Sequence, residues 1–234
     1  FVGHNFKYLS LGNKNKNKTF YIINRSPGSG LFSNLTFVLN HLKICNQFNF
    51  IPVIDMKNFT TIYNEREKIN SSFNAWDYYF EKINKYSLKE VYKSKNLIFA
   101  SSKFQPSMSY DMTDKVFKNQ LNKLKIKNYF HLSAKKFYNK NFTKKDKVLG
   151  VHFRGSTYKT ARKHAFPPTT EIMIKNISKL MKKEKYTKFF LVTEETSYFK
   201  IIKQKFGKKC VCFPSFRMNK VDAFQLYPRK KQRY

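Results

Sequence analysis

Hydrophobic residues alternate along the chain between strand-like runs and helix-like repeats. The run "TFYIIN", residues 19–24, is β-branched and aromatic and predicts a buried strand. From residue 31 the hydrophobic positions recur every three or four residues, which predicts one buried face of a helix. These positions are Leu31, Leu35, Val38, Leu39 and Leu42. "FIPVID", residues 50–55, predicts a second strand that ends at Asp55, so the chain begins with a βαβ unit.

A long polar and aromatic connection follows this unit and contains the single tryptophan, Trp76. "LIFAS", residues 97–101, predicts a further strand, and a helix is predicted from Thr113. The lysine-rich stretch 133–147 predicts a hinge or linker. We expect Trp76 and its aromatic neighbours to pack in a core; a sugar-stacking surface is the alternative.

The alternation restarts with "VLGVHF", residues 148–153, which predicts a buried parallel strand. A helix is predicted next, with a threonine N-cap after Pro168 and Glu171 in its first turn. Its inward positions are Met173, Ile177, Leu180 and Met181. "KFFLVTEE", "TSYFKIIKQKFG" and "CVCFPS" predict strand, helix and strand. The pattern predicts an α/β protein with two α/β units joined by a basic linker.

The formal net charge of +33 raises the question of a nucleic-acid partner. Only seven of the 47 basic residues are arginine, the residue suited to bidentate recognition of phosphates and guanine edges. Lysines are spread over nearly every segment, together with many Asn, Ile, Phe and Tyr, which is typical of an AT-rich genome. We therefore expect no specific nucleic-acid partner; peripheral association with anionic surfaces is the alternative.

Two further features bear on the compartment. The longest hydrophobic runs are shorter than the roughly 20 residues that a membrane-spanning helix needs, so no membrane-spanning segment is predicted. The N-terminal residues do not show the charged-then-hydrophobic order of a signal peptide. The three cysteines, Cys45, Cys210 and Cys212, form no CxxC pair and are expected to be small buried side chains in a reducing compartment. These features favour a cytoplasmic protein, although the sequence begins at Phe1 and an upstream segment is expected.

The turn "GSGLFS", residues 28–33, differs by one residue from the dinucleotide-binding pattern GxGxxG, because Ser33 stands in place of the third glycine. Asp55 follows the next strand, where such proteins carry the acid that binds a ribose. An NAD(P)-dependent oxidoreductase that uses Gly28, Gly30 and Asp55 is therefore one alternative. No Gly-Lys-Ser/Thr follows, which excludes a Walker loop.

Ligands of open parallel sheets bind beyond the carboxyl ends of the strands, where Arg154, Thr193 and Glu194 are predicted. Arg154 offers a permanent cation with forked donors, which suits a diphosphate. An ion pair with Glu194 or Glu195 is the alternative role for Arg154. His152 on the same strand is either a core histidine or a ligand-binding one.

These residues resemble a known family. "VHFRGSTYKT", residues 151–160, resembles the donor motif of GDP-fucose-dependent fucosyltransferases, a group that includes alpha-1,6-fucosyltransferases, nodulation fucosyltransferases and protein O-fucosyltransferases. In that motif a strand ends in His-x-Arg, usually followed by a second Arg and by Thr-Asp-Lys. "GLFSN", residues 30–34, resembles the family's GxFGN turn, and "LVTEET" resembles its following strand. Gly155 departs from the motif, because it replaces the second Arg.

The resemblance implies a GT-B-like fold of two Rossmann-like domains, which we expect at residues 1–140, on the acceptor side, and 141–234, binding the nucleotide sugar and truncated at its C-terminus. It implies that Arg154 stabilises the leaving diphosphate and that Asn34 reaches the donor. The implied donor-binding residues are Gly28, Gly30, Phe32, Asn34, His152, Arg154, Gly155, Lys159, Thr193 and Glu194.

The predicted reaction transfers fucose from GDP-fucose to a hydroxyl of a glycan acceptor. The departing diphosphate needs positive charge, either from a metal held by an Asp-x-Asp motif or from fixed cations. No Asp-x-Asp occurs, since Asp111 and Asp114 are spaced one position too far apart. We therefore expect no metal and no cofactor. Candidates for the base that deprotonates the acceptor are Asp55, Glu65 and Glu194, and Asp55 has a turn-capping role as its alternative.

Three other functions stay open at this point. A glycosyltransferase for another nucleotide sugar fits the same residues. The oxidoreductase predicts NAD binding and gives Arg154 no role. A non-catalytic basic protein predicts salt-sensitive binding to polyanions that does not depend on Arg154.

Overall fold

The computed structural model describes residues 6–25, 30–101, 115–159 and 165–219. The chain divides into two compact units, Phe1–His131 and Leu132–Tyr234. Each unit contains its own sheet. The predicted domain ranges, 1–140 and 141–234, stay a prediction.

The first unit is built on a four-stranded sheet with the order β1-β4-β2-β3. Its strands are β1 (Phe6–Leu9), β2 (Lys14–Ile23), β3 (Ile51–Ile54) and β4 (Ser94–Ala100). Strand β2 pairs in parallel with β3 and β4, whereas β1 pairs antiparallel with β4. Its helices are α1 (Leu31–Gln47), α2 (Leu88–Val91) and α3 (Lys115–Lys123), and α4 (Asn128–Asn141) runs across the division between the units.

Alternate residues of β2 serve two different cores, as its continuous hydrophobic run requires. Tyr21 and Ile23 belong to a cluster with Phe37, Val38 and Leu42 of α1. On the opposite face of the sheet, two other residues of β2 pack with residues of β3, β4 and α2: Phe20, Ile22, Val53, Leu97 and Val91. The predicted βαβ unit is confirmed.

The second unit contains a fully parallel sheet with the order β5-β6-β7. Its elements are β5 (Val148–His152), α5 (Thr170–Lys183), β6 (Lys188–Val192), α6 (Thr196–Phe206) and β7 (Cys210–Val211). The Thr169 hydroxyl accepts a hydrogen bond from the backbone N–H of Ile172, so the predicted N-cap is confirmed. The two Rossmann-like sheets confirm the predicted α/β fold class.

Three details differ from the sequence predictions. The stretch 133–147 is not a linker over its first part, because α4 continues to Asn141. In this helix Phe130 stacks on Tyr79, and Phe137 contacts Phe190 and Phe213, so aromatic packing stabilises a segment that its lysines make look like a loop. Strand β1 was not predicted. Leu180, predicted to face inward, is 43% exposed.

None of the helices in the described part of the chain is long and apolar enough to cross a membrane.

Candidate functional site

Arg154 lies directly beyond the carboxyl end of β5. The backbone N–H of Phe153 still donates to Val192 O, at 2.9 Å, so the sheet pairing ends just before the arginine. The guanidinium lies over the Tyr158 ring, 4.2 Å from its centroid. The Arg154 side chain is 40% exposed, and its Nε lies 4.0 Å from Glu194 Oε1. An exposed pair at this separation is weak, so the cation remains accessible to a ligand.

Glu194 and Thr193 follow β6, next to Arg154. Glu194 Oε1 accepts a hydrogen bond of 2.9 Å from the backbone N–H of Gly155. Thr193 is buried, and its hydroxyl accepts from the backbone N–H of Glu195 at 3.2 Å. The structure therefore places Glu194 against the backbone next to Arg154 and turns the Thr193 side chain inward.

Glu195 is a nearly fully buried acid, 3% exposed, that sequence reasoning considered only as a partner for Arg154. Its Oε1 accepts from Lys159 Nζ at 2.7 Å and from the Ser197 hydroxyl at 2.8 Å. A Cβ atom built on Gly155 would lie 2.1 Å from Glu195 Oε2 and 2.7 Å from Tyr198 Cε2. An arginine at position 155 would therefore displace the Glu195 carboxylate.

Lys159 is held as a cation by this arrangement. Burial lowers its pKa, but hydrogen bonds and charge interactions with Glu195 and Tyr198 outweigh burial, so the net shift is upward. His152, the last residue of β5, is exposed, which makes the interpretation as a core histidine wrong. His152 and Lys159, which lie two and five residues from Arg154 in the sequence, are thus both exposed to solvent.

In the first unit, the turn between β2 and α1 is only partly described, and Gly28 lies outside the described residues. Gly30 is the N-cap of α1 with φ of −66°, and the nearest atom to a Cβ built there is Tyr63 Oη at 4.0 Å. Backbone strain therefore does not require glycine at position 30, and among the described residues no atom lies closer to the built Cβ than Tyr63 Oη. Phe32 is 76% exposed. Asn34 is 2% exposed, and its Oδ1 has no hydrogen-bond partner among the residues that the structure describes.

Arg25 is a residue that sequence reasoning missed. It is 6% exposed, its Nη2 donates to the Ser33 hydroxyl at 3.3 Å, and its guanidinium lies 4.4 Å from the centroid of the Phe37 ring. Burial lowers the pKa of Arg25 from its ordinary value. Its position was a usable signal, because Arg25 follows the end of β2 by two residues, as Arg154 follows the end of β5.

Asp55 is fully buried at the end of β3. Its carboxylate accepts from the backbone N–H groups of Lys57 and Asn58, from the Asn58 amide and from the Tyr92 hydroxyl. Burial, together with this hydrogen bond, raises the pKa of Tyr92. Four donors on one carboxylate favour the turn-capping role and leave little capacity to bind a ribose or to take up a proton.

Trp76 and Tyr78 are packing residues, 3% and 1% exposed, and Trp76 stacks on Phe80 at 4.2 Å. Trp76 also lines a cavity of about 190 Å³, together with Val53 and Ile54 of β3 and with Asp77, whose pKa is raised by burial. Sites that enclose drug-sized ligands measure about 300–1,000 Å³. This cavity is therefore too small for a nucleotide sugar.

Cys45 and Cys210 are buried thiols, as predicted, and burial raises the pKa of Cys210 to about 11. Cys212 is half-buried. Among the described residues no group of three or more His, Cys, Asp or Glu side chains is arranged to hold a metal ion. Asp111 and Asp114 lie outside the described residues, and metal independence stays a prediction.

Comparison with solved structures yields a consistent match in fold. The NodZ alpha-1,6-fucosyltransferase soaked with GDP-fucose matches with a TM-score of 0.55 and 14% sequence identity, over 85% of this chain and 78% of that chain. The fucosyltransferase NodZ from Bradyrhizobium matches with a TM-score of 0.55 and 13% identity, over 85% and 79%. No protein-family model and no curated protein matches the sequence. At this level of identity the likeness establishes a glycosyltransferase-like fold.

Proposed function

We propose that this protein is a glycosyltransferase that transfers fucose from GDP-fucose to a hydroxyl of a glycan or glycoconjugate without a metal ion. The observation that carries the proposal is the accessible Arg154 guanidinium at the carboxyl edge of a Rossmann-like sheet, in a chain whose fold resembles a fucosyltransferase. The partners of this reaction are a nucleotide-sugar donor and a glycan acceptor.

Arg154 is the proposed stabiliser of the leaving group. When the bond between fucose and diphosphate breaks, negative charge develops on the diphosphate, and a fixed guanidinium lowers the energy of that state. Tyr158 beneath the guanidinium restricts its movement, which reduces the ordering cost of binding. Lys159 supplies a second cation, and Gly155, His152, Thr193 and Glu194 complete the proposed donor contacts of this unit.

For the first unit, the proposed donor contacts are those of the turn before α1. The exposed Phe32 offers an apolar surface, and the backbone N–H groups at the start of α1 favour an anion. Asn34 stays a proposed contact on the strength of its buried amide oxygen, which has no hydrogen-bond partner within the described part of the chain. Asp55 is better suited to holding the turn after β3 than to acting as the base.

The oxidoreductase alternative receives less support from the same residues. It requires a free acid after β3, whereas the Asp55 carboxylate already accepts hydrogen bonds from Lys57 and Asn58 of its own turn and from Tyr92. It also gives no role to Arg154. A transferase for another nucleotide sugar shares every feature of the second unit, so the choice between the two depends on the base of the nucleotide.

The test is a donor-cleavage assay. GDP released from GDP-fucose is measured with a panel of oligosaccharide acceptors, with a chelator present throughout and with UDP-sugars as competitors. We expect acceptor-dependent release that is lost in R154A and kept in R66A, which removes an arginine from an exposed position of the first unit. Activity that the chelator abolishes and manganese restores would refute metal independence, and full activity of R154A would refute the role of Arg154.

A further inference from the structure

The buried carboxylate at the start of α6 pairs with a lysine and does not cap its own helix. Glu195 is the N-cap residue of this helix, yet its side chain makes no capping hydrogen bond. The carboxylate points instead to the segment that follows β5, where it meets Lys159 and the backbone of Gly155. Burial of a charged group is costly unless it is paired and hydrogen-bonded, so this side chain is held in place by specific partners.

The packing around Glu195 fixes both sides of Arg154. On one side, Phe153 stacks on Tyr198 with a centroid distance of 3.9 Å and an interplanar angle of 9°. On the other side, Gly155 leaves just the space that the Glu195 carboxylate fills. Lys159 Nζ lies 4.7 Å from the centroid of the same Tyr198 ring, so one cluster of side chains holds residues 153–159.

We infer that Glu195 is a positioning residue of the donor site, which holds Lys159 as the second cation for the diphosphate where a glycine replaces a second arginine. The inference rests on the proposed function. Glycine at position 155 is what allows Glu195 to approach, and Glu195 in turn orients the lysine four residues further along. The site thus presents two cations, Arg154 and Lys159, from one short segment.

The pairing of Glu195 with Lys159 predicts which ligands the Glu195 charge affects. Glu195 also accepts from Ser197, so its carboxylate stays hydrogen-bonded when Lys159 shifts toward an anion. The Lys159 side chain is 36% exposed, so it reaches solvent while its ammonium remains paired. Loss of the Glu195 charge should therefore weaken the binding of a diphosphate more than that of a nucleoside.

The test compares the affinities of GDP and guanosine by calorimetry in the wild type, E195Q, K159A and the double variant. We expect E195Q and K159A each to weaken GDP about tenfold, as expected for loss of one charge-assisted contact, with guanosine unchanged. The double variant should lose little more than either single variant, because the two residues act as one unit. E184Q, which removes the charge of a partly exposed carboxylate in the same unit, is the matched control and should bind GDP normally.

The outcomes separate this inference from the proposed function. GDP binding that is lost in R154A but unchanged in E195Q overturns the positioning role and leaves the proposed function intact. Absence of GDP binding in the wild type overturns both. If E195Q does not fold, K159A and K159R decide, because the inference predicts weak binding for the first and near-normal binding for the second; normal binding by K159A overturns it.

Discussion

The close approach at Gly155 predicts a large effect for the smallest possible substitution. In G155A the added methyl group would lie 2.1 Å from Glu195 Oε2 and 2.7 Å from Tyr198 Cε2. Non-bonded carbon atoms settle at about 3.5–4.0 Å, so either the backbone or both side chains must move by about 1 Å. Neither side chain is free to do so, since Glu195 is bound to Lys159 and Ser197 and Tyr198 is stacked on a buried ring.

The magnitude follows from the cost of overpacking, which is about 1–3 kcal/mol for an extra methyl group in a well-packed site. Because the displaced groups include a paired buried carboxylate, we expect G155A to lower the free energy of unfolding by about 2–3 kcal/mol. With denaturation slopes of about 1–3 kcal/mol per molar urea, the unfolding midpoint should fall by about 1 M.

Urea unfolding followed by far-UV circular dichroism measures this change. The matched control is G150A, in the preceding strand β5, where a built Cβ has no atom of the described residues within 4 Å. We expect G150A to be as stable as the wild type or slightly more so, because glycine weakens strands. Equal stability of G155A and G150A would refute the packing of Glu195 against Gly155.

Two further predictions concern positions outside the donor site. G12A should lower the free energy of unfolding of the first unit by about 1–3 kcal/mol, because its methyl group would lie 2.4 Å from the backbone oxygen of Lys93. Urea unfolding followed by Trp76 fluorescence measures this change, and an unchanged unfolding midpoint would contradict it. Hydrogen bonds from Thr143 N–H and Lys188 hold the pKa of Asp146 below its usual value, so its stabilisation is present above about pH 4 and is lost at lower pH. D146N should therefore be less stable at pH 7, with a difference that narrows in urea titrations below about pH 4; a pH-independent difference would count against the pairing.

Much of the fold could be predicted from hydrophobic spacing. Strand β2 and helix α1 have continuous and periodic patterns, and burial follows those patterns closely. The sequence did not predict helix α4, because its two packed aromatic residues, Phe130 and Phe137, are seven residues apart within a lysine-rich segment. Two positions do not establish a helical period, and the many lysines favoured the interpretation as a linker. Strand β1 has only four residues, FKYL, so its hydrophobic positions are too few to establish a period, and Tyr8 among them is 58% exposed.

The sequence predicts the site residues that follow the end of a strand. It does not predict the charged residues that become buried in the fold. Arg154 follows the end of a predicted strand, and its place at the sheet edge follows from the topology of parallel sheets. The burial of Arg25 and Glu195 depends on Phe37 and Lys159, which are 12 and 36 residues away in the sequence. No local pattern reports such tertiary pairings.

The role of Arg154 in binding the donor diphosphate is tested by calorimetric titration of GDP into the wild type, R154A and R66A with a chelator present. We expect the wild type and R66A to bind GDP and R154A to lose this binding, with UDP and NAD binding much more weakly. Tight binding of GDP by R154A, or a preference of the wild type for NAD, would contradict it.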